Sequence, residues 1–238
     1  MIVLKAALLK LEGVLVSVKQ LEAYVIVQSF NKAGITIKQN LNDLFYLHSL
    51  PEFASRKNFF KALLVVYKLG KIVDSEKIIL EINKFTEKDE KTISIALRKY
   101  EELYSGWVKL NHMVKPLAEP GSLSVFLQKK KFKVAVYTNL DKKFAEFLLD
   151  KYGIQTNLII CKNDKPFGFA SKQFKLKLEE CFIVTDSVAE VQAGKKIKCT
   201  TIGAITGVST REQLVLEKPD FMIQGLKDLQ KILESYTG

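Results

Sequence analysis

The chain has 238 residues, of which 47% are hydrophobic and 26% are charged. Mean hydropathy is close to zero, so the composition excludes a disordered chain and a membrane-embedded one, and the length allows one large domain or two small ones with a real core. No apolar run reaches the roughly 18 residues that a membrane helix needs, and the start of the chain lacks the basic region and small-residue cleavage site of a signal peptide.

Charge and cysteine usage limit the partners that we expect. The formal charge is +11, but only three of the 37 basic residues are arginine, and the lysines are spread along the whole chain. Proteins that recognise the phosphates and bases of nucleic acids favour arginine. A solvated lysine-rich surface therefore explains the charge better than a nucleic-acid groove does. The three cysteines have no CxxC spacing, which argues against a metal knuckle or a disulfide scaffold and suits a reducing cytoplasm.

The first half of the chain predicts one strand followed by helices. Ala6–Leu11 is short and apolar and is followed by Gly13, which is typical of a strand and a turn. Residues 17 to about 113 then show apolar residues at helical spacing almost without interruption, and we attribute their aromatic stripes to a helix-bundle core rather than to a ligand site. Capping residues mark two helix starts: Asp74 or Ser75, and Thr86 with Asp89.

The second half predicts alternating strands and helices. After Pro116 and Pro120, short apolar runs alternate with amphipathic segments over short connections, which is typical of a parallel sheet with helices on both faces. The predicted strands are Phe132–Thr138, Leu158–Cys161, Cys181–Thr185, Thr200–Ile202 and Phe221–Ile223. The predicted helices are Asp141–Tyr152, Gln173–Leu178, Ser187 to about Lys196, and Leu226–Leu233.

The first strand has no partner in its own neighbourhood. We therefore expect Ala6–Leu11 to join the later sheet, which makes the helical block an insertion between the first strand and the rest. The predicted fold class is α/β, with a three-layer Rossmann-like core built on a parallel sheet. The predicted domains are this core, residues 1–16 and 114–238, and an inserted all-helical domain, residues 17–113.

Polar side chains follow several of the predicted strands. In an open parallel sheet, ligands bind beyond the carboxyl ends of the strands, so these side chains should meet in one pocket. They are Lys10 and Glu12 after the first strand, Thr138 and Asn139 after the second, Lys165 in the loop after the third, Thr185, Asp186 and Ser187 after the fourth, and Glu190 one helical turn further on. Gly168 and the Gly203–Gly207 loop are interpreted as ordinary turn glycines.

Four segments resemble, in the right order, the motifs of the haloacid dehalogenase-like (HAD) hydrolases, in particular the phosphoglycolate-phosphatase-like branch with a helical cap. The resemblance covers nearly the whole chain, and the fourth segment is its most specific part. The segments are residues 7–16 (ALLKLEGVLV), similar to a strand ending in D-x-D-G-T-L-V; residues 134–139 (VAVYTN), similar to a strand ending in Thr or Ser; Lys165-Pro166; and residues 182–195 (FIVTDSVAEVQAGK), similar to G-D-S-x-x-D-x-x-A-G.

The resemblance implies an activity and also a departure from it. In this family the first aspartate of the first motif attacks phosphorus, the second acts as acid and base, and Mg²⁺ is held by the first aspartate and the acids of the fourth motif. Here Lys10 stands at the nucleophile position, where an ammonium cannot form an aspartyl-phosphate and repels magnesium. Glu12, at the acid/base position, and Glu190, at a metal position, are each one methylene longer than aspartate. The positions that match the pattern are Thr138, Lys165 and Asp186.

The charge of the site suggests what Lys10 does. Replacing an aspartate and a magnesium ion by one lysine leaves the net charge of these positions unchanged. We therefore expect Lys10 Nζ to lie within salt-bridge reach of Asp186 and of Glu12 or Glu190, in a former active site that has become an internal ion cluster.

These residues predict a HAD-like protein whose phosphatase activity is absent or strongly impaired, and which binds an anion or a partner. The alternative is a weak Mg²⁺-dependent phosphatase for small phosphate esters. The first interpretation needs no cofactor, whereas the second needs Mg²⁺ at Asp186 and Glu190. A small phosphorylated metabolite or an inorganic anion is the expected ligand, because Thr138 and Lys165 match the family's phosphate contacts, and neither a membrane nor a nucleic acid is expected as a partner.

Overall fold

The computed structural model describes residues 3–38, 40–53, 55–162 and 165–236. The chain folds into two compact units. The first, which we call the α/β unit, consists of Met1–Ser17 and Lys115–Gly238, and the second, the helical unit, is Val18–Val114. The segment that contains the first strand therefore belongs to the same unit as the second half of the chain.

A parallel sheet forms the centre of the α/β unit. The strands of the described chain are β1 (Ala6–Lys10), β2 (Val16–Ser17), β3 (Lys115–Pro116), β4 (Lys133–Thr138), β5 (Leu158–Cys161), β6 (Cys181–Thr185), β7 (Thr200–Ala204) and β8 (Phe221–Ile223). Six of them form one parallel sheet in the order β5-β4-β1-β6-β7-β8, while β2 and β3 form a separate antiparallel pair. Because β1 pairs with β4 and with β6, the predicted entry of the first strand into the later sheet is confirmed, as is the α/β Rossmann-like fold class.

The central strands are apolar over most of their length and end in polar residues. Ala6, Leu8 and Leu9 of β1 are fully buried, and every residue of β6 is buried. Continuous burial of this kind is expected for parallel strands that are covered by helices on both faces. The carboxyl ends of β4, β1 and β6 lie side by side, so the residues that follow these three strands meet at one edge of the sheet.

The helical unit contains α1 (Lys19–Lys32), α2 (Leu41–Ser49), α3 (Arg56–Leu69), α4 (Ser75–Ile82), α5 (Glu87–Ser105) and α6 (Trp107–Leu110) among its described residues. Its core includes an aromatic cluster, in which the Phe60 ring lies 5.0 Å from Phe30 and 5.6 Å from Tyr100. The predicted helix starts are confirmed: Asp74 caps α4, and Thr86 forms a capping box with Asp89 at the start of α5. Within the described residues, no helix is long and apolar enough to cross a membrane.

The helices of the α/β unit are α7 (Pro120–Lys129), α8 (Lys142–Lys151), α9 (Pro166–Phe174), α10 (Val188–Lys196), α11 (Arg211–Leu216) and α12 (Leu226–Tyr236). The helix predicted over Gln173–Leu178 is wrong. The helix of this region, α9, starts at Pro166, whose fixed φ suits the first helical position, and ends before Lys175, which has a left-handed φ of 55°. Leu178–Glu180 forms a separate 3₁₀ turn.

Candidate active site

Lys10 lies at the centre of an ion cluster at the carboxyl end of β1. Its Nζ is 2.8 Å from Oδ1 of Asp186 and 3.3 Å from Oε1 of Glu190. The side chains of Lys10 and Asp186 are only 12% and 2% exposed, so the contact is shielded from water. The expected pairing of Lys10 with Asp186 and a second acid is thus confirmed, and the second acid is Glu190.

The two acids hold Lys10 in its charged form. Burial alone would lower the pKa of Lys10, but the nearby carboxylates of Asp186 and Glu190 outweigh this effect and raise the pKa above its ordinary value. The raised pKa favours the protonated side chain at neutral pH. A protonated amine has no lone pair with which to attack phosphorus or form a Schiff base.

Asp186 is held on its other side by the backbone. Its Oδ2 accepts a hydrogen bond of 2.8 Å from the Val208 N–H. A Cβ atom added at Gly13 would lie 2.1 Å from Oδ2, and one added at Gly207 would lie 1.7 Å from it, so both positions exclude any side chain. The interpretation of Gly207 as an ordinary turn glycine is therefore wrong, because this residue makes room for the carboxylate of Asp186.

Glu190 is bound by two hydroxyl groups besides Lys10. Its Oε2 accepts a hydrogen bond of 2.9 Å from Tyr137 Oη and a second one from the hydroxyl of Thr185. Burial and the Glu190 carboxylate both raise the pKa of Tyr137 well above its usual range, so the phenol stays protonated and donates. Sequence reasoning missed Tyr137 as part of the cluster. The signal was present, because Tyr137 is the residue of β4 that lies opposite Lys10 in the sheet register.

Glu12 lies apart from the ion pairs. Its Oε1 accepts a hydrogen bond of 3.1 Å from the backbone N–H of Asn139, and its Oε2 is buried without a hydrogen-bond partner among the residues that the structure describes. Burial raises the pKa of Glu12, although interactions with Thr138 and Lys10 partly offset the effect. By resemblance, the residues around Thr138 would contact phosphate, and here one of their N–H groups is taken by the protein's own carboxyl group.

One cavity brings most of the predicted site residues together. It has a volume of about 450 Å³, and its lining includes the polar residues Lys10, Thr138, Lys165, Glu190, Tyr137 and Asn139. Thr138 is buried, and its hydroxyl accepts a hydrogen bond of 3.0 Å from the Leu140 N–H. Lys165 precedes α9 at its N-cap position. Asp186 is not among the described residues that line the cavity, and its Oδ1 contacts the Lys10 ammonium.

The residues present do not fit the magnesium ion that the resemblance implies. The two acids at the metal positions, Asp186 and Glu190, both point at the Lys10 ammonium, which takes the place between them. A divalent cation there would sit against a fixed positive charge, and Mg²⁺ demands near-ideal octahedral oxygen coordination. Across residues 3–38, 40–53, 55–162 and 165–236, no group of three or more His, Cys, Asp or Glu side chains could hold a metal ion.

Comparison with solved structures identifies proteins that share this fold. The sequence matches no protein-family model and no curated protein. The structure is similar to a predicted phosphoglycolate phosphatase from Haemophilus somnus, with a TM-score of 0.74 and 16% identity over 97% of this chain and 98% of that one. It is also similar to a predicted phosphatase from Clostridium acetobutylicum (TM-score 0.70, 17% identity, 98% and 99% covered) and to a HAD family hydrolase from Deinococcus radiodurans with bound phosphate and sodium (0.68, 15%, 99% and 97%). The chain therefore has the fold of the HAD phosphoglycolate-phosphatase-like hydrolases.

Proposed function

We propose that this chain is a non-catalytic protein of HAD fold, in which Lys10 has taken the place of both the nucleophile and the metal ion. The observation that carries the proposal is the double ion pair of Lys10 with Asp186 and Glu190. The helical unit is proposed to correspond to the cap of the family. In place of turnover, the cavity of the α/β unit binds an anionic ligand.

Two steps of phosphoryl transfer fail with these residues. The first is nucleophilic attack, since the protonated Lys10 offers no electron pair to phosphorus. The second is general acid and base catalysis, which needs a proton donor within hydrogen-bond reach of the leaving group. Glu12 directs Oε1 to the Asn139 N–H, and its Oε2 is buried away from the surface, so neither oxygen is presented to a leaving group. A misplacement of about 1 Å costs roughly a hundredfold in rate even when all groups are present.

Anion binding is supported by the positive charges in the cavity wall. Lys10 and Lys165 both line the cavity, where Glu190 is the only acid in the wall among the described residues. Two hydroxyl groups already bind Oε2 of Glu190, so much of its negative charge is satisfied. We expect phosphate itself to bind weakly, at millimolar concentration, because the Asn139 N–H is bonded to Glu12.

Hydrolysis of p-nitrophenyl phosphate with Mg²⁺, Mn²⁺ or Co²⁺ tests the proposal. The matched control is Asp186→Asn, which removes an acid that any metal-dependent phosphatase of this fold would need. We expect the wild-type protein to release p-nitrophenol no faster than this variant. A metal-dependent rate that the variant loses would show a working phosphatase and would refute the proposal. Calorimetric titration with inorganic phosphate, on the wild type and Lys165→Ala, tests anion binding separately.

A further inference from the structure

The cavity has an apolar lining that the proposed function does not explain. This lining, which we call the apolar chamber, is formed by Ile160 of β5, Phe167 of α9, Leu178 of the 3₁₀ turn, Ala193 of α10, and Ile197 just after α10. Ile160 and Phe167 belong to a hydrophobic cluster that packs between the sheet and α9, and Leu178 and Ile197 pack against it. Apolar side chains therefore line the same cavity as the polar residues at the strand ends.

The size and lining of the cavity suit a small molecule. Its volume of about 450 Å³ lies within the range of roughly 300–1,000 Å³ that is usual for ligand pockets. A mostly apolar concave site with a few convergent polar groups is the usual form of a small-molecule site.

Lys10 provides a hydrogen-bond donor in the cavity wall. An ammonium has three N–H groups, and the ion-pair partners of Lys10 among the described residues are two carboxylates, Asp186 and Glu190. Because Lys10 also lines the cavity, an acceptor atom of a ligand can approach its ammonium. A charged acceptor gives the stronger bond, because hydrogen bonds between ionised groups are about twice as strong as neutral ones.

We propose that the cavity binds a small monocarboxylic acid, with its carboxylate at Lys10 and Lys165 and its apolar body against Ile160, Phe167 and Ile197. This inference rests on the proposed non-catalytic function, in which Lys10 is a fixed cation. A monoanion suits the site better than a phosphate dianion does. Every negative charge of a ligand is repelled by Asp186, Glu190 and Glu12, and a dianion brings two such charges to the site where a monoanion brings one.

Titration of the full chain with hexanoate, acetate and hexanol, followed by calorimetry or NMR, tests each part of the site. We expect hexanoate to bind at least about tenfold more tightly than acetate, which corresponds to burying about two methylene groups. We also expect it to bind at least about tenfold more tightly than hexanol, which lacks the charge. Lys165→Ala should weaken the binding of hexanoate and leave the affinity for hexanol unchanged.

Gly168 offers a way to fill the chamber. It lines the cavity within α9, and a Cβ atom at this position would meet no other atom within 4 Å, so Gly168→Leu adds bulk without a backbone clash. We expect this variant to lose the advantage of hexanoate over acetate. Gly225→Leu is the matched control, because Gly225 also has open space around it but lies outside the cavity wall.

Each outcome bears on one claim. Equal binding of hexanoate and acetate would overturn the apolar chamber, and equal binding of hexanoate and hexanol would overturn the carboxylate contact. No saturable binding of any of the three at millimolar concentration would overturn the inference as a whole. Hydrolysis of p-nitrophenyl phosphate above the Asp186→Asn control would instead refute the proposed function, whichever ligand binds.

Discussion

Lys10 Nζ lies 2.8 Å from Oδ1 of Asp186, and this contact joins the end of β1 to the residue that follows β6. Both side chains are buried, and Glu190 completes the cluster at 3.3 Å. The two acids would repel each other at this edge of the sheet if no cation stood between them. The lysine therefore has a structural role that is independent of any ligand.

Breaking this pair should destabilise the protein strongly. Asp186→Asn leaves Lys10 with one carboxylate. We expect a loss of about 3 kcal/mol in the free energy of unfolding, because the buried charge of Lys10 is then poorly compensated. The control is Glu81→Gln, which breaks the exposed ion pair of Glu81 with Lys84 and should cost less than about 0.5 kcal/mol. Urea unfolding measures both, and equal effects of the two substitutions would contradict the buried pair.

Gly207 should tolerate no side chain. Gly207→Ala places a Cβ 1.7 Å from Oδ2 of Asp186, so either the loop or the carboxylate must move. We expect a loss of about 3 kcal/mol or more, at the upper end of the usual cost of overpacking. Gly225→Ala is the matched control and should change stability by less than about 1 kcal/mol, since its Cβ would meet no atom within 4 Å. Thermal melts of the two variants measure the difference in stability. A Gly207→Ala protein as stable as the control would contradict the close approach of Gly207 to Asp186.

Asp89 should make the stability of the helical unit depend on pH. Burial alone would raise the pKa of Asp89, but hydrogen bonds from Lys68 and Thr86 outweigh it and lower the pKa. A lowered pKa stabilises the folded state above the unfolded value of about 3.9, and this stabilisation is lost as the pH falls through the folded value. Asp89→Asn should therefore cost about 1 kcal/mol at pH 7, and the difference from wild type should shrink below about pH 4.

Urea unfolding of both proteins across this pH range measures the effect. The control is Glu76→Gln, which also replaces an acid in the first turn of a helix, α4. A constant difference between wild type and Asp89→Asn down to pH 3, roughly one unit below the unfolded value, would contradict the assigned role of Asp89.

Much of the sheet could be predicted because its strands are short continuous apolar runs. Leu158–Cys161, Cys181–Thr185 and Phe221–Ile223 have the bounds that the sequence predicts. Lys10, Asp186 and Glu190 could be placed together for a similar reason, since parallel strands end at a common edge. The limits of α9 could not be read as easily. Its end is set by the left-handed backbone of Lys175, a conformation that glycine normally marks in a sequence.

Other parts of the site depend on packing between distant segments. Gly207 approaches Asp186 through a loop that lies 21 positions later in the chain, and no local pattern distinguishes it from a turn glycine. Glu12 shows the same limit. Its side-chain length predicts a misplaced carboxyl group, but only the structure shows that this group bonds to the Asn139 N–H. The apolar chamber was equally hidden, because the residues that line it come from four separate parts of the chain.

The central claim is that the Lys10 ammonium replaces a metal ion, and thermal melts of wild type and Lys10→Asp with and without millimolar Mg²⁺ test it most directly. Without metal, Lys10→Asp gathers four acids around Lys165, so we expect a loss of up to about 3–5 kcal/mol. Added Mg²⁺ should recover part of this loss in the variant by binding only the folded state, and it should leave wild type unchanged. If Mg²⁺ raises the melting temperature of both proteins equally, or of neither, Lys10 does not stand in the place of a metal ion.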